Sequence, residues 1–127
     1  MSKRTFIKRL CGFLAAIMVA LSSYAYSSGS CGTSLTWELS DDGVLTINGT
    51  GAMNNYTSSS GNRAPWYDSR SSIQILSIGD QVTSIGNYAF YNCNNIYTID
   101  IPDNVTSVGS SAFYGCSGAK SIKIGDG

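Results

Sequence analysis

The 127-residue chain predicts a β-rich (α+β) solenoid: a stack of 23-residue coils closed at its N-terminal end by a β-hairpin cap. Three observations carry that prediction. Residues 73–95 (IQILSIGDQVTSIGNYAFYNCNN) and 96–118 (IYTIDIPDNVTSVGSSAFYGCSG) match position by position, and Ala119 opens a third copy, AKSIKIGDG, that runs to Gly127. Apolar residues recur in phase, as Ile73/Ile96/Ala119, Leu76/Ile99/Ile122, Ile78/Ile101/Ile124, Val82/Val105, Ile85/Val108, Phe90/Phe113 and Cys93/Cys116. A fixed period of that order marks coils that each stack only on their neighbours. Ahead of the repeats, LTWEL and VLTI flank SDDG, the alternation and turn chemistry of a hairpin.

The elements follow in order. Residues 1–9 hold Lys3, Arg4, Lys8 and Arg9 without an acid, residues 10–21 (LCGFLAAIMVAL) are apolar, and Ser23 to Ala25 are small at the two positions a peptidase inspects. That is the layout of a secretory signal peptide over 1–25. At about a dozen residues the apolar run falls short of the roughly 20 needed to span a bilayer, so no membrane span is expected after its removal. Lipidation at Cys31 is not favoured, because SGS lacks the expected leucine and lies well past the apolar run. Residues 26–30 read as a short polar leader to the mature chain.

Residues 26–72 form the expected capping segment. After the hairpin, NGTG breaks the chain, YTSSSGNR (56–63) reads as a polar loop insertion, and APWY (64–67) returns to an apolar setting. LTI at 45–47 resembles LSI at 76–78, so the segment reads as a divergent first coil, needed because an uncapped stack would expose core to water. The 73–127 repeats come next, two full and a third truncated. In each, Ile-x-x-Ile-x-Ile forms a strand with Tyr97, Thr98 and Asp100 facing out, and Pro102, Asp103 and Asn104 turn the chain. Val105 and Val108 are expected to bury the next arc, Gly109 to permit a bend that a Cβ would obstruct. Ser110 to Phe113 are expected to form a helical turn capped by Ser110 or Ser111. Phe113 and Cys116 then close the core.

Without residues 1–25, Arg63, Arg70, Lys120 and Lys123 face eight carboxylates, a balance of 4 − 8 = −4. Nucleic acid needs a basic patch or stripe, so it is excluded as a partner. Cys11 lies in the leader, leaving an odd three cysteines. Cys93 and Cys116 sit one coil apart, about 5 Å, within disulfide reach, yet their last-apolar-slot position reads as two buried thiols. Cys31 has no evident partner.

The repeated Val-Thr-Ser-(Ile/Val)-Gly…Ala-Phe…Cys pattern, with the CG…LTW…DG…LTI…GTG…M…PW stretch before it, resembles the BspA-like leucine-rich-repeat surface proteins. The resemblance covers essentially the whole mature chain. It implies a leucine-rich-repeat stack in a secreted or surface-displayed protein that binds other proteins, commonly in adhesion. Such proteins carry many repeats, whereas this chain stops inside its third, so it reads as a truncated product or a fragment of a longer adhesin.

No chemistry displaces that reading. The absence of histidine removes the commonest general base and metal ligand. Asp41 and Asp42 precede Gly43 in a turn, where Asp is favoured locally. Asp80, Asp103 and Asp126 recur at one position, but calcium needs six or more oxygens and the G-G-x-G-x-D consensus is missing. No enzyme, cofactor or metal is expected. Trp66 reads as core, whereas Tyr97 is a candidate contact because tyrosine is enriched at interfaces. Asn48, Asn55 and Asn104 fit the glycosylation sequon. The outward strand residues differ between repeats while the inward ones do not, so the candidate binding face is Gln74, Ser77, Tyr97, Thr98, Asp100, Lys120 and Lys123. An extracellular or host-surface protein is the expected partner, a structural spacer displaying another domain the alternative. An open C-terminal coil would favour self-association.

Overall fold

A computed structural model describes residues 25–126; apart from Ala25, the expected signal peptide lies outside the described residues. Nine strands run β1 (Ala25–Ser30), β2 (Leu35–Ser40), β3 (Val44–Gly49), β4 (Gly51–Ala52), β5 (Ile75–Ile78), β6 (Val82–Ile85), β7 (Thr98–Ile101), β8 (Ser107–Val108) and β9 (Ser121–Ile124) among the described residues, with a 3₁₀ helix at Tyr67–Ser72. They form a six-stranded sheet, β1-β2-β3-β5-β7-β9, and a three-stranded sheet, β4-β6-β8.

The hairpin expected at SDDG is present: β2 pairs antiparallel with β3, Trp37 opposite Ile47 and Leu39 opposite Leu45. Gly43 closes its turn at φ +86°, where an added Cβ would also meet the Ser72 carbonyl at 2.6 Å. From β3 onward the sheet is parallel. Thr98 pairs with Ser121 and Ile75 with Thr98, in each case 23 residues apart, and in the second sheet Ile85 pairs with Val108 at the same offset. Leu45 pairs with Leu76 and Ile47 with Ile78, now 31 residues apart. The eight extra residues (31 − 23) are accommodated in the stretch that holds the exposed 57–63 loop.

Side-chain alternation in each strand sends one set into the core. In β5 and β7 the inward Leu76, Ile78, Ile99 and Ile101 are buried, and their neighbours Ile75, Ser77, Thr98 and Asp100 are exposed. An aromatic stack runs along the interior. Trp66 lies 5.6 Å from Phe90 at 17° between planes, and Phe90 lies 5.2 Å from Phe113 at 22°. Trp37 and Tyr56 meet the Trp66 ring edge-on, an orientation the ring quadrupoles favour. The buried Trp66 Nε1 donates to the Ala89 carbonyl at 2.8 Å, so its polar atom is satisfied. The expected core role of Trp66 holds.

Glycine is required where one repeat leans on the next. A Cβ on Gly86 would lie 1.8 Å from the Asn54 carbonyl, and one on Gly109 would lie 2.4 Å from the Asn87 nitrogen. Side-chain amides reinforce these contacts. Asn55 Oδ1 accepts the Asn87 N–H, and Asn87 Oδ1 accepts the Ser110 N–H, both at 2.9 Å.

Four expectations need correction. Residues 26–30 are not a free leader: they belong to β1, which pairs antiparallel with β2 from Ala25–Ser40 to Ser30–Thr36. The ladder bonds are made by backbone, so a Ser/Gly-rich segment serves as an edge strand without an apolar pattern. The stretch from Ser110 to Phe113 is not a helical turn. It is a run of separate i→i+3 turns (Ala112 N–H to Gly109 O, Tyr114 N–H to Ser111 O), interrupted by Ser111 at φ +55°, a left-handed value no helix tolerates. Val108 does not bury an arc; it is 47% exposed, whereas its equivalent Ile85 is 2% exposed. Phe113 and Cys116 pack against the core only partly buried, so they do not close it. The last two differences share a cause. Val108 covers Ile85 through the β6–β8 ladder, and no described residue does the same for Val108.

Candidate binding face

The outward side of the six-stranded sheet gathers the seven residues singled out from the sequence, and all seven are exposed. They fall into three rows that cross the strands. Gln74, Tyr97 and Lys120 are joined by backbone, Tyr97 N–H donating to Gln74 O at 3.2 Å and Lys120 N–H donating to Tyr97 O at 2.9 Å. Thr98 stands between Ile75 and Ser121. Asp100 stands opposite Lys123, with Lys123 Nζ 3.9 Å from Asp100 Oδ1. Ser77 continues that last row toward the hairpin through Thr46 and Glu38.

The rows exist because the parallel ladders hold a single register. A slip of one residue would turn Leu76 and Ile99 outward, which their burial forbids. The Asp100–Lys123 pair is well exposed on both sides, so it orients two side chains more than it stabilises the sheet.

A shallow depression of about 400 Å³ opens on this side, lined by Ile75, Ser77, Asp80, Asp100 and Pro102 together with Leu76 and Ile78. Two apolar side chains stand among the polar ones, Ile75 at 40% and Tyr97 at 43% exposure. Carboxylates (Glu38, Asp80, Asp100) lie toward the hairpin side and centre, and both lysines stand on the β9 side. The two arginines of the described residues are elsewhere, their guanidinium carbons 4.4 and 4.0 Å from the Tyr67 ring centroid.

Sequence reading missed Asp80 and Pro102 at the rim of the depression, and Thr46 and Glu38 along the row. The signal for Thr46 was present: aligning LTI at 45–47 with LSI at 76–78 sets Thr46 level with Ser77. Glu38 follows only once the hairpin register is known.

Polar side chains in the turns between repeats serve the backbone. Asp103 Oδ1 accepts the Asp126 N–H at 3.0 Å, and Asn104 Nδ2 donates to the Asp80 carbonyl at 2.6 Å. The Asp80/Asp103/Asp126 position thus ties neighbouring turns together, and no metal-ligating cluster occurs among the described residues. Cys31, Cys93 and Cys116 are free thiols. Burial pushes Cys31 and Cys116 up to about 11 and Cys93 up to about 12, so they remain protonated and unreactive near neutrality. The partly buried Cys116 thiol donates to the Phe90 carbonyl at 3.2 Å.

With the repeat pattern and its parallel pairing in place, comparison with known families is decisive. The family described as BspA type leucine rich repeat region (6 copies) matches residues 65–127. Residues 65–127 are a BspA-type leucine-rich-repeat region. A leucine-rich repeat protein from Eubacterium ventriosum is similar in structure, with a TM-score of 0.60 and 34% identity over 76% of this chain. A leucine rich cell surface protein from Faecalibacterium prausnitzii aligns over 80% of this chain at 25% identity with a TM-score of 0.42. The chain spans 28% and 30% of the lengths of those two proteins. No curated protein matches it. The fold is accordingly a β-rich leucine-rich-repeat fold.

Proposed function

We propose that this protein is a secreted or cell-surface leucine-rich-repeat module that binds another extracellular protein through the outward face of its six-stranded sheet. In this reading residues 1–25 direct export, 26–72 cap the first coil, and 73–127 form a solenoid of 23-residue coils. The module is non-catalytic and acts in adhesion, an extracellular or host-surface protein being its ligand.

One observation carries the reading: an apolar pair, Ile75 and Tyr97, stands exposed in a polar surface whose inward neighbours in β5 and β7 are buried in the core. Exposed aromatic and aliphatic side chains ringed by polar groups are the composition of protein-binding patches. The shallow, open depression suits a protein surface better than a small molecule, which needs an enclosing pocket.

The test is binding of the purified chain to immobilised extracellular-matrix and cell-surface proteins, in parallel with a Tyr97→Ala/Asp100→Ala variant. Those residues are exposed, so the variant should fold and melt like the parent while binding drops at least about tenfold. Equal binding by both would remove the face from the account. Binding that is absent in both, with adhesion surviving a swap of whole repeats, would support a spacer that displays another domain.

A further inference from the structure

Arg63 and Arg70 are the two arginines of the described residues, and both stand over one ring. Their guanidinium carbons lie 4.4 and 4.0 Å from the Tyr67 centroid, so the two are at most 8.4 Å apart, the sum of those distances.

The repeats pack this position without charge. Tyr67 follows Trp66 in the chain as Tyr91 follows Phe90 and Tyr114 follows Phe113, and Trp66, Phe90 and Phe113 form the interior stack. Tyr91 and Tyr114 cover each other ring on ring, at 5.4 Å and 15°. Tyr67 carries two cations instead, each drawn to the negative face of the ring. Stacking the coils does not require that arrangement, so it calls for another reason.

Most of the arginine donors are unspent. A guanidinium has five N–H groups. Arg63 gives Nε to the Ser58 carbonyl at 3.0 Å, and Arg70 gives Nη1 to the Tyr67 carbonyl at 2.9 Å. Neither joins an ion pair among the described residues, although Asp68 stands next to Tyr67 and carboxylates there outnumber bases eight to four. Two like charges held this close repel each other, and an anion between or beside them relieves the repulsion. The ring fixes both planar forks in advance, so little freedom is lost when they grip an oxyanion.

The surroundings say what kind of anion. Residues 57–62 (TSSSGN) are exposed beside Arg63, and the loop is held by Thr57 N–H to Asn62 O at 2.8 Å and Asn62 N–H to Ser59 O at 3.2 Å. They offer hydroxyl and amide groups. No large apolar side chain is exposed in residues 57–72. A protein partner needs such an anchor at the centre of its patch, whereas a polyhydroxylated sugar does not. Two guanidiniums also make a local grip, not the stripe that a nucleic acid needs.

We propose that Arg63 and Arg70, clamped on Tyr67, bind an anionic glycan through its sulfate or carboxylate groups, with the 57–62 loop meeting its hydroxyls. None of these residues belongs to the six-stranded sheet, so the site stands independently of the ligand proposed for the outward face.

The test is calorimetric titration of the purified chain with a heparin-derived tetrasaccharide and with an oligogalacturonate of equal length. Binding of either supports the proposal, and their ratio tells sulfate from carboxylate. Arg63→Gln/Arg70→Gln should weaken binding at least about tenfold, and Arg63→Gln alone, at an exposed loop position, should weaken it without changing the thermal melt. Lys120→Gln/Lys123→Gln and the Tyr97→Ala/Asp100→Ala variant of the outward face should both bind like the parent. In the unsubstituted chain the Nε–Hε cross-peaks of Arg63 and Arg70 should shift during the titration, a readout that needs no variant to fold. No binding of either glycan, unmoved arginine cross-peaks, or an equal loss in the lysine variant would each overturn the proposal. So would equally tight binding of a hexaglutamate peptide, which would point to an acidic protein segment instead.

Discussion

Phe90→Ala tests the interior stack where it is densest. Phe90 is fully buried and sandwiched between Trp66 and Phe113 at centroid distances of 5.6 and 5.2 Å. Truncating a buried phenylalanine costs about 3–5 kcal/mol through lost transfer energy and the cavity left behind. For a folded region of about 100 residues each kcal/mol moves the melting midpoint by about 4–8 °C, so a fall of roughly 12–40 °C is expected. Phe113 occupies the same position one repeat later but is only partly buried. Phe113→Ala should cost about 1–2.5 kcal/mol, less than half as much. The two rings stack on each other, so the double variant should fall short of additivity by about 0.5–1.5 kcal/mol. Thermal and urea melts followed by circular dichroism measure all three. A Phe90→Ala cost no larger than that of Phe113→Ala, or strictly additive effects, would refute a continuous stack.

The remaining predictions concern backbone approach and ionisation. Gly86→Ala should destabilise by more than about 2 kcal/mol, because the new Cβ would lie 1.8 Å from the Asn54 carbonyl, whereas Gly61→Ala, with nothing within 4 Å, should stay within about 0.5 kcal/mol in the same melts. Stability should be independent of the thiols below about pH 9 and fall as pH rises toward 11–12. In that window the unfolded chain has lost its thiol protons while Cys31, Cys93 and Cys116, held up at about 11, 12 and 11, retain theirs, so the unfolded state binds fewer protons. Cys93→Ala should flatten the decline by about 1.4 kcal/mol per pH unit in urea melts; an unchanged slope would show that the buried thiol is not its source.

How far the sequence could be read depended on how each part is held together. The repeats were legible because inward side chains must recur in phase, as Leu76/Ile99 and Phe90/Phe113 do. That same constraint placed Tyr97, Thr98 and Asp100 outward without any structure. It reached ahead of the repeats through LTI at 45–47, which pairs with LSI at 76–78, though the spacing there is 31 rather than 23. β1 was illegible because its pairing with β2 uses backbone groups that every residue possesses. The turns after Ser110 were misread because Ser-Ser-Ala-Phe has helical capping chemistry, while the φ of +55° at Ser111 is set by packing. Exposure at Val108, Ile122 and Ile124 was hidden for a related reason. Periodicity assigns a side to each residue but does not say whether anything lies beyond it.

The central claim is that equivalent positions in successive repeats are neighbours in one interior. A methyl–methyl NOESY spectrum of the selectively labelled chain addresses it directly. Cross-peaks should step along Leu45–Leu76, Leu76–Ile99 and Ile99–Ile122, with Ile85–Val108 in the second ladder, and none should join Leu45 to Ile122. A spectrum lacking those steps, or connecting methyl groups out of phase with the 23-residue offset, would contradict it.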